Sequence, residues 1–337
     1  MSSQATSAGL AVDTPQPDQR LARVAMAVGK PLLHAATVAV CVAIVTFFLI
    51  RALLGDPARR LAGLSGQVAS PQQVAALRAQ LGLNRGLLAQ FASYMTGMAH
   101  GDFGTSFQYR GTPVSSIVFG TLGNTVILAI TTMLISAALG IALGLFCAAV
   151  RSRLVDNLTR ILSMIAMSAP SALVGLVLIL SVAVRGSLLP AGGWGTGYPG
   201  DFRYLVLPIV TLCVWFTPVI FRVVRERAVE VLREPHVEAA CARGMPPMRL
   251  ALRHVLPNCA LPVLNIVALS TGGLLGGAVI VETVFGVPGL GQTMSNAINS
   301  DDFPVIQAVT LLSGLAVVLA NTAADIAGRA IDPRTRA

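Results

Sequence analysis

Lysine is almost missing from this chain: Lys30 is the only one in 337 residues. That excludes a phosphate-binding P-loop, which needs G-x-x-x-x-G-K-[ST] so that backbone amides and the lysine cradle the phosphates. Lys30 is followed by Pro31 and preceded by no such glycine pattern. Charge of any sign is scarce too, at 12% of residues, against about a quarter in soluble domains. Cysteine offers no metal or disulfide chemistry. Of Cys41, Cys147, Cys213, Cys241 and Cys259 three lie inside apolar runs, and no two form a C-x-x-C pair, so they read as small buried hydrophobes. His34, His100, His236 and His254 are scattered without ligand spacing. No Ser/His/Asp or Cys/His constellation is evident. These absences argue against an enzyme and against a metal site, and any ATP-derived energy has to come from a partner.

Apolar sequence is abundant: 54% of residues are hydrophobic and the mean hydropathy is +0.73. The chain therefore reads as an all-α integral membrane protein. Its net charge of +9 does not indicate nucleic acid, because the arginines sit in short loops between apolar runs and not along one face.

Residues 1–30 are polar and lack apolar periodicity, as a flexible tail does. Pro31–Ile50 is uncharged over 20 residues, enough at 1.5 Å per residue to cross a hydrocarbon core of about 30 Å. It is too long for a signal-peptide core and is followed by Arg51 and Gly55-Asp56-Pro57, not by a cleavage site. The first membrane segment is placed at 31–54. Residues 55–114 are too polar to span and too patterned to be disordered. Ser70-Pro71-Gln72-Gln73 is a capping box, Val74, Leu77 and Leu81 form one helical stripe, and Leu87, Leu88, Phe91, Tyr94, Met95 and Met98 form a second. Two amphipathic helices follow, resting on the spans or on the membrane surface.

Residues 115–331 hold five more spans. Ile117–Val150 is uncharged over 34 residues, about 51 Å as a helix, and Gly140-x-x-x-Gly144 permits close helix approach. Ile161–Val184 is the third span, kinked at Pro170. The fourth, Tyr204–Phe221, contains Pro208 and Pro218, and the fifth is Cys259–Val281. The sixth, Pro304–Ala324, ends on Asn321, Asp325 and Arg329 on one face, where Asp325 and Arg329 form a structural ion pair near the interface. Residues 332–337 form a short exit. Span five carries Gly272, Gly273, Gly276 and Gly277, which suit tight packing or a pathway that backbone must approach closely. Asn265, Ser270, Thr271, Gly273, Gly276 and Glu282 are the candidate pathway residues. Six spans place both termini on one side. The segments on that side carry sixteen Lys and Arg and the opposite side eight, which puts the termini and the segment 222–257 in the cytoplasm.

Within that segment, Pro235–Pro257 reads as a short helix with Pro235 at its first position and Gly244 ending it. Val237, Ala240 and Cys241 fall on one side, leaving Glu238 and Arg243 free. Such a helix is an ordinary connector or a docking element for a soluble partner. The spacing Glu238-Ala239-Ala240, three residues, Gly244, then Leu256-Pro257 resembles the EAA loop of ABC importer permeases, although His254 stands where that loop often has isoleucine.

Further stretches resemble the B-type permease subunits of dipeptide, oligopeptide and nickel ABC importers: Leu54-Gly55-Asp56-Pro57-Ala58, Leu77-Arg78-Ala79-Gln80-Leu81-Gly82-Leu83, and Gly101-Asp102-Phe103-Gly104-Thr105-Ser106. Val281-Glu282-Thr283-Val284-Phe285 with Pro288-Gly289-Leu290-Gly291, then Pro304-Val305-Ile306-Gln307 and Asp332-Pro333-Arg334, complete the set. The resemblance implies the type I ABC importer permease fold and a bacterial plasma-membrane location. It also implies a second homologous permease completing the pathway, one or two cytoplasmic ATPase subunits carrying ATP and Mg, and an extracytoplasmic binding protein. Pro235, Glu238, Ala239, Ala240, Gly244, Leu256 and Pro257 then couple to the ATPase. Peptide is the favoured cargo, nickel or a metal chelate the alternative. An ATP-independent secondary transporter is the rival reading; it needs intramembrane carboxylates, and only Glu282 and Asp325 qualify.

Overall fold

A chain crossing hydrocarbon must pair its own backbone N–H and C=O groups, and helices do this within one segment. The computed structural model is accordingly helical among its described residues, which are 33–34, 36–49, 51–52, 58, 70–80, 83–109, 111–150, 152–195 and 201–331. One isolated antiparallel bridge, Thr105 to Pro113, interrupts the pattern. The tail 1–30, Leu54 through Pro57, Leu81-Gly82 and the exit Asp332-Pro333-Arg334 lie outside the described residues.

Ala36–Leu49 (α1) falls inside the predicted first span. Pro71–Gln80 (α2) and Leu87–Ala99 (α3) are the two predicted amphipathic helices. The capping box forms: the Gln73 N–H donates to Ser70 Oγ at 3.2 Å and the Ser70 N–H to Gln73 Oε1 at 3.1 Å. The apolar side of α3 rests on α1 through Phe47, Phe48, Phe91 and Tyr94. Arg51 lies 3.6 Å over the Phe47 ring and donates to Gln90 Oε1 at 3.0 Å, locking the two helices together.

Val114–Val150 (α4), Arg203–Val231 (α7) and Phe303–Ile331 (α12) are long spans. The fourth unbroken one, α9, runs as Pro247–Leu250, a π-helical turn Ala251–Val255, and Leu256–Gly277. Pro257 has no N–H to return to the preceding turn, and the widened turn before it accommodates that gap. The third predicted span is not a kinked rod. It is Arg153–Ser168 (α5) followed by Ser171–Leu178 (α6), which continues as a π-helix through Arg185, and the two are bent by 98°. Pro170 disfavours a helical residue before it, and Ala169 is extended at φ −75°, ψ 127°. Two other boundaries move. α7 continues ten residues past Phe221, and α9 starts at Pro247, not Cys259, so the interspan segment is mostly helix extension. Pro235–Ala242 (α8) lies between them. Beyond α9, Val279–Phe285 (α10) and Leu290–Asn299 (α11) fold back before α12.

The core lies where α4 runs along α7 and α9 along α12. Gly140 and Gly144 set the first contact: a Cβ would sit 2.8 Å from Ile220 Cβ at Gly140 and 2.7 Å from Val224 Cγ1 at Gly144, with the Arg225 backbone N at 3.1 Å. Gly144→Leu is expected to cost about 3 kcal/mol or more, since the clash includes backbone. The check is monodisperse yield after detergent extraction, with Gly144→Ala losing less.

Candidate coupling and pathway faces

Helix α8 is held by three neighbours. Its N-cap, Glu234, is extended and Pro235 occupies the first turn. Val237 and Ala240 are fully buried among Ala148 of α4, Ala228 and Val231 of α7, and Leu250, Val255 and Cys259 of α9. The C-terminus closes as a Schellman motif: Gly244, at φ +77°, donates to Cys241 O at 2.9 Å, and Met245 donates to Ala240 O at 3.3 Å while packing on the same cluster.

Ala240 shares the buried side with Val237, as their three-residue spacing indicates, so of the coupling residues it anchors α8 from within. Cys241 does not share the buried side with Val237 and Ala240; it is exposed. What faces outward is Glu238, Ala239, Ala242 and Arg243. Among the described residues no hydrogen bond or ion pair engages the side chain of Glu238 or Arg243, whereas Arg227 reaches Glu230 at 2.9 Å and Glu234 meets His236 at 3.3 Å. Leu256 is half-buried and Pro257 exposed where α9 regains α-helical form.

The α9 residues sort by face. Asn265, Leu269 and Gly273, four apart, are exposed along one stripe, with Leu269 65% exposed. No side chain comes within 4 Å of where a Gly273 Cβ would be. Ser270 is half-buried beside this stripe, and Thr271 turns its hydroxyl onto Val267 O at 2.7 Å. Gly272 lies against α12, where a Cβ would approach Val317 Cγ1 to 3.1 Å. The surroundings of Gly276, and the side chains of Asp325 and Arg329, lie outside the described residues. Leu269 shares this exposed stripe without having been singled out in the sequence, because a leucine in an apolar span carries no signal.

Glu282 departs from expectation. It is fully buried within the chain. Thr125 of α4 donates to Oε1 at 2.7 Å, and the Gly291 and Gln292 N–H groups at the start of α11 donate to Oε2 at 2.7 and 3.2 Å. The Thr125 hydroxyl accepts from the Leu290 N–H at 2.7 Å, and Asn124 donates to Pro288 O at 2.8 Å. A carboxylate at a helix N-terminus satisfies donors that otherwise lack partners. Gly289 and Gly291 are required beside it, because a Cβ at either would strike this carboxylate. Asp302, also buried, does the same for the loop after α3. It accepts from Ser106 Oγ and from the Phe107 and Gln108 N–H groups at 3.1 and 3.2 Å. In that loop Asp102 accepts from the Gly104 N–H at 2.9 Å, and Gly101 and Gly104 take positive φ.

The described residues form a bundle of spanning helices with a short helix clamped onto one end. Sequence comparison shows the class of protein. Residues 140–337 match the family model described as binding-protein-dependent transport system inner membrane component, and residues 27–133 match the N-terminal model of the same system. The chain belongs to this family of inner-membrane transport permeases.

A relative from Sinorhizobium fredii, a probable peptide ABC transporter permease protein, is 36% identical over 91% of this chain and 98% of its own length. The glutathione transport system permease protein of Salmonella paratyphi A is 36% identical over 91% of this chain and 97% of its own. Among solved structures, an inward-facing MetNI methionine ABC transporter chain aligns with TM-score 0.54 at 20% identity, covering 64% of this chain and 96% of that one. That likeness concerns the fold.

Proposed function

We propose that this permease is one half of the translocation pathway of an ATP-driven importer for di- and oligopeptides. In this reading a second, homologous permease supplies the other half. One or two ATPase subunits bind ATP and Mg on the cytoplasmic side, and an extracytoplasmic binding protein delivers cargo. Relatives that handle peptide, and glutathione (itself a tripeptide), support this cargo class. The arginine excess supports cytoplasmic termini, with 55–114 on the outer side.

The observation that carries the reading is the outer face of α8. Glu238 and Ala239 project from a helix whose inner face is locked to α4, α7 and α9, so a push on α8 is delivered to three spans as a unit. Alternating access follows: the ATPase pair closes, α8 moves with it, and the stripe Asn265–Leu269–Gly273 changes its opening. Gentle detergent extraction of the tagged chain from native membranes tests the reading. The expected companions are a second permease and one or two ATPases. A chain that stays alone after cross-linking with an ATP analogue present contradicts it. A co-purified binding protein is then assayed against peptides and nickel chelates, and nickel-only binding would overturn the cargo assignment.

A further inference from the structure

α5 is a two-sided helix. Asp156, Arg160 and Ser163, four and three residues apart, share the face turned to α7, and Leu154, Leu158, Ile161 and Ile165 are exposed on the opposite face. The two helices do not close on each other. Between them lies a cleft of about 450 Å³ lined in part by Arg160, Ser163, Arg222, Arg225 and Glu226. It sits at the α8 end of the molecule, one turn before Ala228, which packs under α8. Arg225 of α7 holds Asp156 of α5 with two contacts, Nε to Oδ1 at 2.9 Å and Nη2 to Oδ2 at 2.6 Å. The other polar groups of the cleft are unmatched. Arg160 and Glu226 make no hydrogen bond or salt bridge among the described residues. The polar neighbour of Arg222 is the Met167 sulfur, at 3.7 Å. Ser163 is only 8% exposed, yet its hydroxyl has no partner among the described residues. Arg222 and Glu226 are opposite charges four residues apart on α7, a spacing at which such side chains ordinarily pair, and they do not pair here.

We infer that this cleft binds a short zwitterionic peptide, its carboxylate on Arg222 and Arg160 and its ammonium on Glu226. Guanidinium groups present paired donors that match carboxylate oxygens. One helical turn rises about 5.4 Å, and two residues of extended chain span about 7 Å. A dipeptide therefore carries its end charges at close to the separation of Arg222 and Glu226 along α7. The Ser163 hydroxyl is left for the peptide amide or carboxylate. A simple anion would satisfy the arginines and leave Glu226 facing a like charge, and a simple cation would do the reverse. A ligand with both charges satisfies both. The apolar row of α5 lies on the far face, so the occupant meets polar groups of α5 and is water-soluble. That a peptide here is imported cargo rests on the import reading; the binding itself does not.

Equilibrium dialysis of the full chain purified in detergent, with radiolabelled alanyl-alanine as probe and no binding protein present, tests the site. Saturable binding at millimolar peptide is expected. Alanyl-alanine amide, which lacks the carboxylate, and N-acetyl-alanyl-alanine, which lacks the ammonium, are each expected to compete about tenfold less well, the scale of one charge-assisted hydrogen bond. R222A is expected to lose the preference over the amide and keep that over the acetylated peptide. E226Q is expected to do the opposite, a crossed pattern that misfolding does not produce. Absence of saturable binding, or preferences unchanged in both variants, overturns the site. Competition by inorganic phosphate or by N-acetyl-alanyl-alanine as strong as that by alanyl-alanine shows an anion site and overturns the peptide assignment. A chain that binds in the crossed pattern but imports no peptide fails the import reading and leaves the cleft standing.

Discussion

Glu238→Lys is expected to reduce ATP-driven uptake to near background while leaving the amount of folded permease unchanged. The two halves of that result have separate causes. Glu238 is exposed and has no hydrogen-bond or ion-pair partner among the described residues, so reversing its charge costs α8 little. In the proposed docking joint, however, the carboxylate would meet donors of the ATPase, and a cation in its place would leave those donors facing a like charge. Truncating one member of a buried interfacial charge pair costs about 2–5 kcal/mol, which is a loss of association of roughly thirtyfold or more. The measurement pairs cargo uptake with co-purification of the ATPase. Normal uptake by Glu238→Lys removes α8 from the coupling role. Gly244→Asp tests the same helix through its geometry. No atom blocks a side chain there, but φ is +77°, and a non-glycine residue held left-handed costs roughly 1–2 kcal/mol. Its effect on uptake is therefore expected to be smaller than that of Glu238→Lys.

Glu282→Ala is expected to act on the fold, not on transport alone. It deprives the Gly291 and Gln292 N–H groups and the Thr125 hydroxyl of their acceptor in a site closed to water. Each buried polar group left unsatisfied costs about 1–3 kcal/mol. The sum of three is comparable with the whole stability of many domains, about 5–15 kcal/mol, so α11 is expected to detach from α4 and extraction yield to collapse. Glu282→Gln keeps one acceptor oxygen but turns an NH2 toward donors, and its yield should fall between the two. If Glu282 instead served the moving cargo, both variants would remain fully folded and lose only transport. The measurement is thermal unfolding of each variant in detergent beside its uptake.

The placement of these residues shows what was legible in sequence. Charge-free runs of about twenty residues located the spans, because hydrocarbon tolerates little else. The spacing from Pro235 to Gly244 located α8 and its left-handed end, because both residues act through local backbone geometry. The arginines beyond Phe221 read as loop, yet α7 continues through them to Val231, because packing of Val224, Ala228 and Val231 overrides polarity. The bend at Pro170 was visible as a kink but not as 98°, since a proline removes a hydrogen bond without dictating the angle that tertiary packing then selects. Glu282 was misplaced because a lone acid near a span end looks alike whether it meets cargo or caps a distant helix. Its partners Thr125 and Gly291 lie 157 and 9 residues away, and no local periodicity links them. The inward side of Ala240 was legible from its three-residue spacing to Val237, whereas the exposure of Cys241 was not.

The buried role of Glu282 also bears on the ATP-independent reading. That mechanism needs a carboxylate exchanging ions with water, and this one is committed to α4 and α11. The account therefore rests on α8. The most direct test places a photo-crosslinking amino acid at position 239 or, as an inward control, at position 240, and irradiates native membranes. The account predicts that position 239 captures an ATP-hydrolysing subunit and position 240 yields only intrachain products. Capture at neither position, or capture by 239 of a protein from the opposite side of the membrane, would contradict it.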